Sequence, residues 1–190
     1  ILSLDKSGKV FIRSTQKGSA KISMLGQHHW VICSALSPDA GMMALGSKEG
    51  SIEILSLKNG KKEKSFTADG AILALAFSPD SKQITSCSST GRIQTNSILT
   101  GKAKLAANKE SGPITSITYF DKNSDFVTGG ADGKIRFWTS GGNECTHIAE
   151  AHALSVTTLS SADNGLFFIS ASSDRIIKVW DRHSGQCMKS

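Results

Sequence analysis

Residues 170–181 read SASSDRIIKVWD, a small polar segment followed by an apolar segment that ends in tryptophan and aspartate. Ile177 and Val179 alternate with Lys178, which is the period of a strand with one buried face. The serines and the aspartate that precede Arg175 supply turn chemistry. These twelve residues therefore predict two short strands joined by a tight turn.

The same pattern recurs along the chain at a fixed step. Its turn anchor appears at Gly8, Gly50, Gly91 and Gly133, and Arg175 takes the same place, with spacings of 42, 41, 42 and 42 residues. A second anchor, which twice reads Ser-Pro-Asp, recurs at residues 36–39, 77–80, 119–122 and 161–164. A period of roughly 20 to 50 residues is the mark of a repeat architecture.

Each repeat unit predicts four short strands and no helix. In the last unit the apolar alternation and the turn residues place them at about 155–160, 165–171, 175–180 and 186–190. No segment shows the helical period. We therefore expect an all-β fold made of four-stranded antiparallel units.

A four-stranded unit of this length that closes on Trp-Asp resembles the blade of a WD-repeat β-propeller. The resemblance covers the whole chain and is strongest in the last unit. It implies a propeller of about seven blades, of which this chain supplies about five. On that basis residues 1–190 form a single propeller domain that we expect to be truncated, since the sequence starts at Ile1 without a methionine. Its units are about 1–27 (partial), 28–67, 68–109, 110–150 and 151–190.

His152, Ser170, Asp174 and Trp180 match the residues that form a buried hydrogen-bonded network in WD-repeat blades. The resemblance implies the same structural network here. Serine, histidine and aspartate are also the members of a nucleophilic triad, which is the alternative interpretation. We expect the structural role, and we expect the protein not to be an enzyme.

The other units match the family less well. Thr128, Asp132 and Trp138 keep three network positions, but Glu110 stands in the place of the histidine. This predicts an incomplete network and a less stable blade at 110–150. The tryptophan place of the three earlier units holds Arg13, Leu55 and Asn96.

Composition and motifs exclude several classes of protein. Apolar residues make up 38% of the chain and charged residues 20%, which is typical of a globular protein. No apolar run reaches the roughly 18 residues of a membrane helix, and the first residues are charged where a signal peptide would be apolar. We therefore expect a cytoplasmic or nuclear protein, or one found in both, that does not dock to membranes.

Metal and cofactor sites are not predicted either. The four cysteines lack the Cys-x-x-Cys spacing of zinc and redox sites, so reduced thiols are expected. His28 and His29 are adjacent and have no accompanying carboxylates. The glycines follow no phosphate-loop pattern. We expect no cofactor, no metal and no small-molecule substrate.

The net charge of +6 is unevenly distributed, with five basic and one acidic residue in 1–27 but three basic and six acidic residues in 110–150. The basic stretch at 58–64 is able to contact phosphates or an acidic protein surface. A glutamate interrupts it and no aromatic residues for base stacking lie within it. RNA binding thus remains an open alternative without motif support.

Trp30 lies just before the first strand of its unit, at the end where propeller loops form the top rim. Exposed aromatic residues at such rims often anchor protein partners. The matching positions in the later units are Ala71, Pro113 and Ser155. These four residues are the predicted partner-binding positions.

Residues 60–65, 72–80 and 133–135 are similar, in the same order, to the superkiller-complex WD-repeat subunit family. That family implies a non-catalytic scaffold that joins proteins in an RNA-decay or transcription-associated complex. The alternatives are an RNA-associated propeller of a ribosome-assembly particle, which the basic balance favours, and the substrate receptor of a ubiquitin ligase. The expected partners are other proteins of a multisubunit complex.

Overall fold

The computed structural model describes residues 2–4, 9–13, 22–27, 31–105, 112–120, 124–140, 144–162 and 165–190, the first three ranges by their backbone alone. Within these ranges the chain forms nineteen strands and no helix. In the first two sheets the strands are β1 Leu2–Leu4, β2 Lys9–Arg13, β3 Ile22–Gln27, β4 Val31–Leu36, β5 Met42–Ser47, β6 Ser51–Ser56 and β7 Lys62–Thr67. The others are β8 Ile72–Phe77, β9 Gln83–Ser88, β10 Ile93–Ser97, β11 Ala103–Leu105, β12 Ile114–Tyr119, β13 Phe126–Gly130, β14 Lys134–Trp138, β15 Cys145–Glu150, β16 Val156–Ser161, β17 Phe167–Ser172, β18 Ile177–Asp181 and β19 Cys187–Lys189.

The strands form five sheets in which each strand pairs with the next one along the chain. The first sheet has three strands, β1 to β3, and the second to fifth sheets have four each. All pairs are antiparallel, for example Ile169 opposite Val179 in β17 and β18. The last four strands begin and end within two residues of the predicted positions. The predicted all-β fold of four-stranded antiparallel units is confirmed.

The hydrophobic core lies between the sheets. The first strands of neighbouring sheets pack against each other, β4 on β8, β8 on β12 and β12 on β16. Ile52 and Ile54 of the second sheet share a cluster with Ile72 and Ile84 of the third. Since the second to fifth sheets bury side chains against one another, these sheets stack side by side as the blades of a propeller do.

Backbone geometry explains why the repeat keeps a glycine at its turn anchor. Gly50, Gly91 and Gly133 adopt φ values of 86°, 77° and 77° between the second and third strands of their sheets. A Cβ on Gly133 would overlap the carbonyl oxygen of His152. Arg175 holds the same position with φ of 71°, a region that side chains other than glycine rarely adopt.

The second anchor is a turn closed by side-chain hydrogen bonds. In the third sheet, Ser78 Oγ donates to Asp80 Oδ1 at 2.6 Å and accepts the amide of Gln83 at 3.0 Å. Ser37 and Asp39 repeat this arrangement in the second sheet, with the two oxygens 2.5 Å apart. The Ser-Pro-Asp sequence thus fixes the turn that joins the first strand of the sheet to the second.

The fifth sheet differs from the others on its outer face. Ile52, Ile93 and Ile135 occupy matching positions and are at most 1% exposed, whereas Ile177 at the same position is 62% exposed. The earlier isoleucines are covered by the following sheet.

In the part of the chain that is described, no helix is present that is long and apolar enough to cross a membrane.

Candidate functional site

The structure brings together the four network residues of the last sheet. Ser170 is on β17, Trp180 is on β18, Asp174 is in the turn between them and His152 precedes β16. His152 Nδ1 lies 3.0 Å from Asp174 Oδ2, and His152 Nε2 lies 2.7 Å from Ser170 Oγ. The indole N–H of Trp180 donates to Ser170 Oγ at 2.8 Å. One continuous chain of hydrogen bonds therefore ties the loop before the first strand to the second and third strands.

This network is closed to solvent at the atoms that a triad would use. Ser170 and the side chain of His152 are both 0% exposed. Ser170 Oγ is contacted by both the indole and the imidazole, so its hydrogen-bonding capacity is largely occupied. No substrate atom can approach this oxygen without unpacking the sheet. The geometry thus favours the structural interpretation over the catalytic one.

Asp174 is held as a carboxylate by three donors, two from the loop before β16 and one from its own turn. Burial raises the pKa of this carboxyl, but the backbone N–H groups of Ile176 and Ala153, together with His152, outweigh that effect, so the pKa lies below its ordinary value. The N–H of Ile176 donates at 2.9 Å and that of Ala153 at 3.1 Å. Asp174 thereby fixes both the turn and the loop that carries His152.

The fourth sheet keeps the hydrogen bond between the tryptophan and a hydroxyl, but a different residue binds its turn aspartate. Trp138 Nε1 donates to Thr128 Oγ1 at 2.9 Å, as Trp180 does to Ser170. Asp132 binds the guanidinium of Arg136 through both carboxylate oxygens, at 3.3 and 2.7 Å. Glu110 lies outside the described residues. Sequence reasoning overlooked Arg136, although its spacing of four from Asp132 across a tight turn is a readable signal.

The second sheet replaces the polar pair by an apolar one. Leu45 and Leu55 stand at the positions of Ser170 and Trp180, and both are at most 2% exposed. They cluster with Met43, which is also buried. Both partners of the hydrogen bond have changed together, so no buried donor is left without an acceptor.

The third sheet has a polar replacement instead. Asn96 stands where the tryptophan would be and is 1% exposed. Its Oδ1 accepts from Gln94 Nε2 at 3.1 Å, and the same Nε2 also donates to the carbonyl of Thr67 on the second sheet at 3.1 Å. Asn96 Nδ2 makes no hydrogen bond within the described part of the chain.

A second buried network, which the sequence analysis did not predict, joins the third and fourth sheets. The Tyr119 hydroxyl lies 2.6 Å from Thr85 Oγ1, which in turn lies 2.8 Å from Thr95 Oγ1. Burial raises the pKa of Tyr119 to about 12, so this phenol stays protonated and is able to donate a hydrogen bond. The signal in the sequence that could have indicated this network is the presence of threonine at two strand positions that face the interior, Thr85 and Thr95.

Three of the four predicted partner-binding residues lie at equivalent points on the rim. Ala71, Pro113 and Ser155 each precede the first strand of a sheet. Their carbonyl oxygens accept from the amides of Ser89, Ala131 and Ser173 at 2.9, 2.9 and 3.0 Å. Pro113 is exposed and the other two are partly exposed. Trp30 lies outside the described residues.

A cavity of about 500 Å³ lies at the opposite ends of the same first strands. It is formed where the first strands of the second to fifth sheets end, and it is lined by both apolar and hydroxyl side chains. Its lining includes the side chains of Leu36, Pro38, Phe77, Pro79, Tyr119 and Phe120.

Within the described ranges, no group of three or more histidine, cysteine, aspartate or glutamate side chains is placed to hold a metal ion. His28 and His29 are outside those ranges.

Comparison with known proteins identifies the class to which this architecture belongs. The family model "WD domain, G-beta repeat" matches residues 60–94, 102–139 and 143–181, which together make up more than half of the chain. The chain belongs to this WD-repeat family.

Individual relatives share only moderate identity with it. The chain is 30% identical to pre-mRNA-processing factor 19 of Oryza sativa subsp. japonica over 106 residues, 52% of this chain and 20% of the relative. It is 25% identical to the WD repeat-containing protein SL1-17 of Schistosoma mansoni over 162 residues, 85% of this chain and 54% of the relative. It is 31% identical to the small ribosomal subunit protein RACK1z of Arabidopsis thaliana over 137 residues, 63% of this chain and 42% of the relative. The chain thus spans between a fifth and about half of the length of these relatives.

Proposed function

We propose that the protein is a rigid WD-repeat platform that holds other proteins together in a multiprotein complex and has no active site. The observation that carries the proposal is the repeated rim. The same backbone hydrogen bond fixes Ala71, Pro113 and Ser155 at the entry to successive sheets. A surface that is already ordered loses little conformational entropy when a partner binds.

The network on the last sheet supports a structural rather than a chemical role. His152, Ser170 and Asp174 anchor the rim loop to the sheet, and Ser170 and the His152 side chain are fully buried. The four network residues, together with Thr128, Asp132 and Trp138, hold the rim in shape in this proposal. Trp30 and the three rim residues are the positions proposed to contact partners.

Affinity purification tests the platform proposal. Full-length protein carrying a tag is isolated from cells, and the co-purifying proteins are identified by mass spectrometry. We expect stable, stoichiometric protein partners, with weaker recovery after Pro113→Arg, which alters an exposed rim side chain. Recovery of no partner, together with turnover of a substrate by the purified protein, would overturn the proposal.

The kind of complex is a further part of the proposal. Relatives are named as a pre-mRNA-processing factor and as a small ribosomal subunit protein. We place this chain in an RNA-processing, RNA-decay or transcription-associated complex, in the cytoplasm or the nucleus. The resemblance to the superkiller-complex WD-repeat subunit family remains a prediction of one complex among these kinds.

RNA association is the second candidate, and the net charge of +6 favours it. If the protein itself contacts RNA, its affinity for a labelled RNA should fall steeply as salt rises, because Lys–phosphate contacts release counterions. A filter-binding series at increasing salt measures that slope. Absence of binding at low salt would remove this candidate and leave the platform proposal standing.

A further inference from the structure

A groove opens between the second and third sheets at the place where a tryptophan would lie. Its volume is about 460 Å³, and it runs between β6 and β7 on one side and β10 and β11 on the other. It is lined chiefly by Glu53, Lys62, Phe66, Thr67, Gln94 and Asn96. β7 and β11 are the edge strands of their sheets, so the groove opens on the outer side of the molecule.

The groove exists because of the residue at position 96. Trp138 and Trp180 occupy the matching positions in the fourth and fifth sheets and are 2% and 4% exposed. Trp180 fills the space against the preceding sheet, where it clusters with Phe137 and Ala149. Asn96 is far smaller than an indole, so the part of that space that Phe66 does not fill stays open.

Asn96, which lines the groove, also has an unused donor at its buried Nδ2. It is 1% exposed, and its Nδ2 makes no hydrogen bond in the described part of the chain. A buried amide N–H without an acceptor is costly and rare, so it calls for an explanation such as a ligand. The matching acceptor is an oxygen, either a peptide carbonyl or a carboxylate.

The rim of the groove is basic. Five exposed lysines lie on β7 and on the turns that precede the two outer strands: Lys58, Lys61, Lys62, Lys64 and Lys102. Lys104 on β11 pairs with Thr95 and therefore faces the fourth sheet, away from the groove. One acidic residue, Glu63, occurs in the same segments, and Glu53 lies on the neighbouring strand β6. Lys62 Nζ lies 3.2 Å from Glu53 Oε1, which keeps the ammonium at the mouth of the groove. Phe66, which is half-buried, supplies an apolar wall.

We propose that this groove is a docking site for an extended, acidic peptide segment of a protein partner. Asn96 donates to an oxygen of that segment, Phe66 packs against an apolar side chain, and the lysines attract its carboxylates. A peptide fits better than a nucleic acid, because Glu53 in the groove repels phosphates and none of the described lining residues is a fully exposed aromatic on which bases could stack. The inference rests on the proposed platform function and assigns one of its binding surfaces.

A peptide-display selection on the full-length protein tests the proposal. A library of random dodecapeptides is selected against the wild-type protein, and the enriched peptides are measured by fluorescence anisotropy. We expect sequences rich in aspartate and glutamate with at least one large apolar residue. Asn96→Leu, which removes the donor and introduces the residue found at position 55, should weaken their binding roughly five- to tenfold.

Charge reversal supplies a matched pair of variants. Lys62→Glu should weaken binding by about tenfold, because it places a carboxylate at the mouth of the groove. Lys189→Glu makes the same change on the exposed outer strand of the fifth sheet and should leave binding unchanged. Circular dichroism melting curves confirm that each variant is folded.

Three outcomes would overturn the groove site: no enrichment of acidic peptides, equal binding to wild-type and Asn96→Leu protein, or stronger competition by polyuridylate RNA than by the acidic peptides. Affinity purification of the two groove variants separates this proposal from the platform function. If every partner still co-purifies with both variants, the groove proposal fails while the platform proposal stands.

Discussion

At the scale of single residues, the repeat is governed by backbone conformation as much as by side-chain chemistry. The turn anchor requires a positive φ in every sheet where it is described, and glycine meets that requirement without strain. Arg175 meets it with a side chain and therefore stores energy in the turn. The position that departs from the repeat in sequence is thus also the strained one.

Arg175→Gly should stabilise the protein by roughly 0.5–1 kcal/mol, because relief of the left-handed strain exceeds the entropy cost of an extra glycine. Gly133→Ala should destabilise it by about 1–2 kcal/mol or more, since its φ is 77° and a Cβ would overlap the His152 carbonyl. Urea unfolding followed by tryptophan fluorescence measures both changes. Gly112→Ala is the control, because a Cβ there meets no atom within 4 Å. Equal midpoints for all variants would contradict this account of the anchor.

Ser170→Ala tests the role of the buried network. It removes the acceptor of the Trp180 indole and the contact of His152 Nε2, so we expect a loss of about 1–3 kcal/mol for each buried group left without a partner. Ser160→Ala on the neighbouring strand, where the side chain is exposed, should change stability by less than about 0.5 kcal/mol. Chemical denaturation gives both values. Unchanged stability of Ser170→Ala, combined with loss of a hydrolytic activity, would support the triad instead.

At the scale of strands and sheets, the repeat tolerates lost signature residues when their neighbours change with them. Leu45 and Leu55 replace a hydrogen-bonded pair by a packed one. Phe66 stands where Ala149 stands two sheets later, opposite Asn96 instead of a tryptophan. Small and large residues are thus exchanged across the junction, as close packing requires.

A double-mutant cycle at this junction tests the exchange. Asn96→Trp alone should be destabilising by about 1–3 kcal/mol, since the indole competes with Phe66 for the same space. Adding Phe66→Ala should recover most of that loss, because it recreates the Trp180–Ala149 arrangement. Ser86, which stands where Ser170 stands in the last unit, is then in position to accept the indole N–H. Thermal unfolding of the wild type, both single variants and the double variant gives the coupling energy. Additive effects would show that the two residues do not compensate each other.

At the scale of the whole molecule, stability is shared between the sheet junctions and the carboxylates of the turns. The core clusters lie between sheets, so each sheet depends on its neighbours. Cys33 illustrates the coupling: burial raises its pKa to about 12, and its protonated thiol donates to the Ile72 carbonyl of the next sheet at 3.1 Å.

The turn carboxylates predict how stability responds to acid. The hydrogen bond from Ser78 is the largest cause that lowers the pKa of Asp80, and Ser37 has the same effect on Asp39. A folded-state pKa below the unfolded value of 3.8 adds stability that is complete well above that value and is lost as the pH falls through the folded pKa. Urea midpoints should therefore change little between pH 7 and 5 and fall markedly between about pH 4 and 2.

The double substitution Asp39→Asn and Asp80→Asn checks the cause. It should lower stability at pH 7 and flatten the decline below about pH 4. Glu63→Gln, at an exposed site on β7, should leave the decline as it is. A decline of equal steepness in the double variant would assign the acid response to other groups.

The amino-acid sequence determined the repeat step and the strand pattern, and the resemblance to WD repeats supplied the four network residues of the last sheet. The strand pattern depends on local chemistry, such as alternation along a strand or a glycine at a turn, and comparison of the units gives the step. The sequence also indicated which units lack the tryptophan.

Tertiary structure alone decided what takes the place of the missing residues. Tyr119 reaches Thr85 on another sheet, and Asn96 leaves a groove beside Phe66. Tyr119 is 34 residues from Thr85 and Phe66 is 30 residues from Asn96 in sequence, and these residues meet only when the sheets stack. Contacts across a sheet junction depend on the sizes and donors of side chains on two units at once, and no pattern within one unit specifies them.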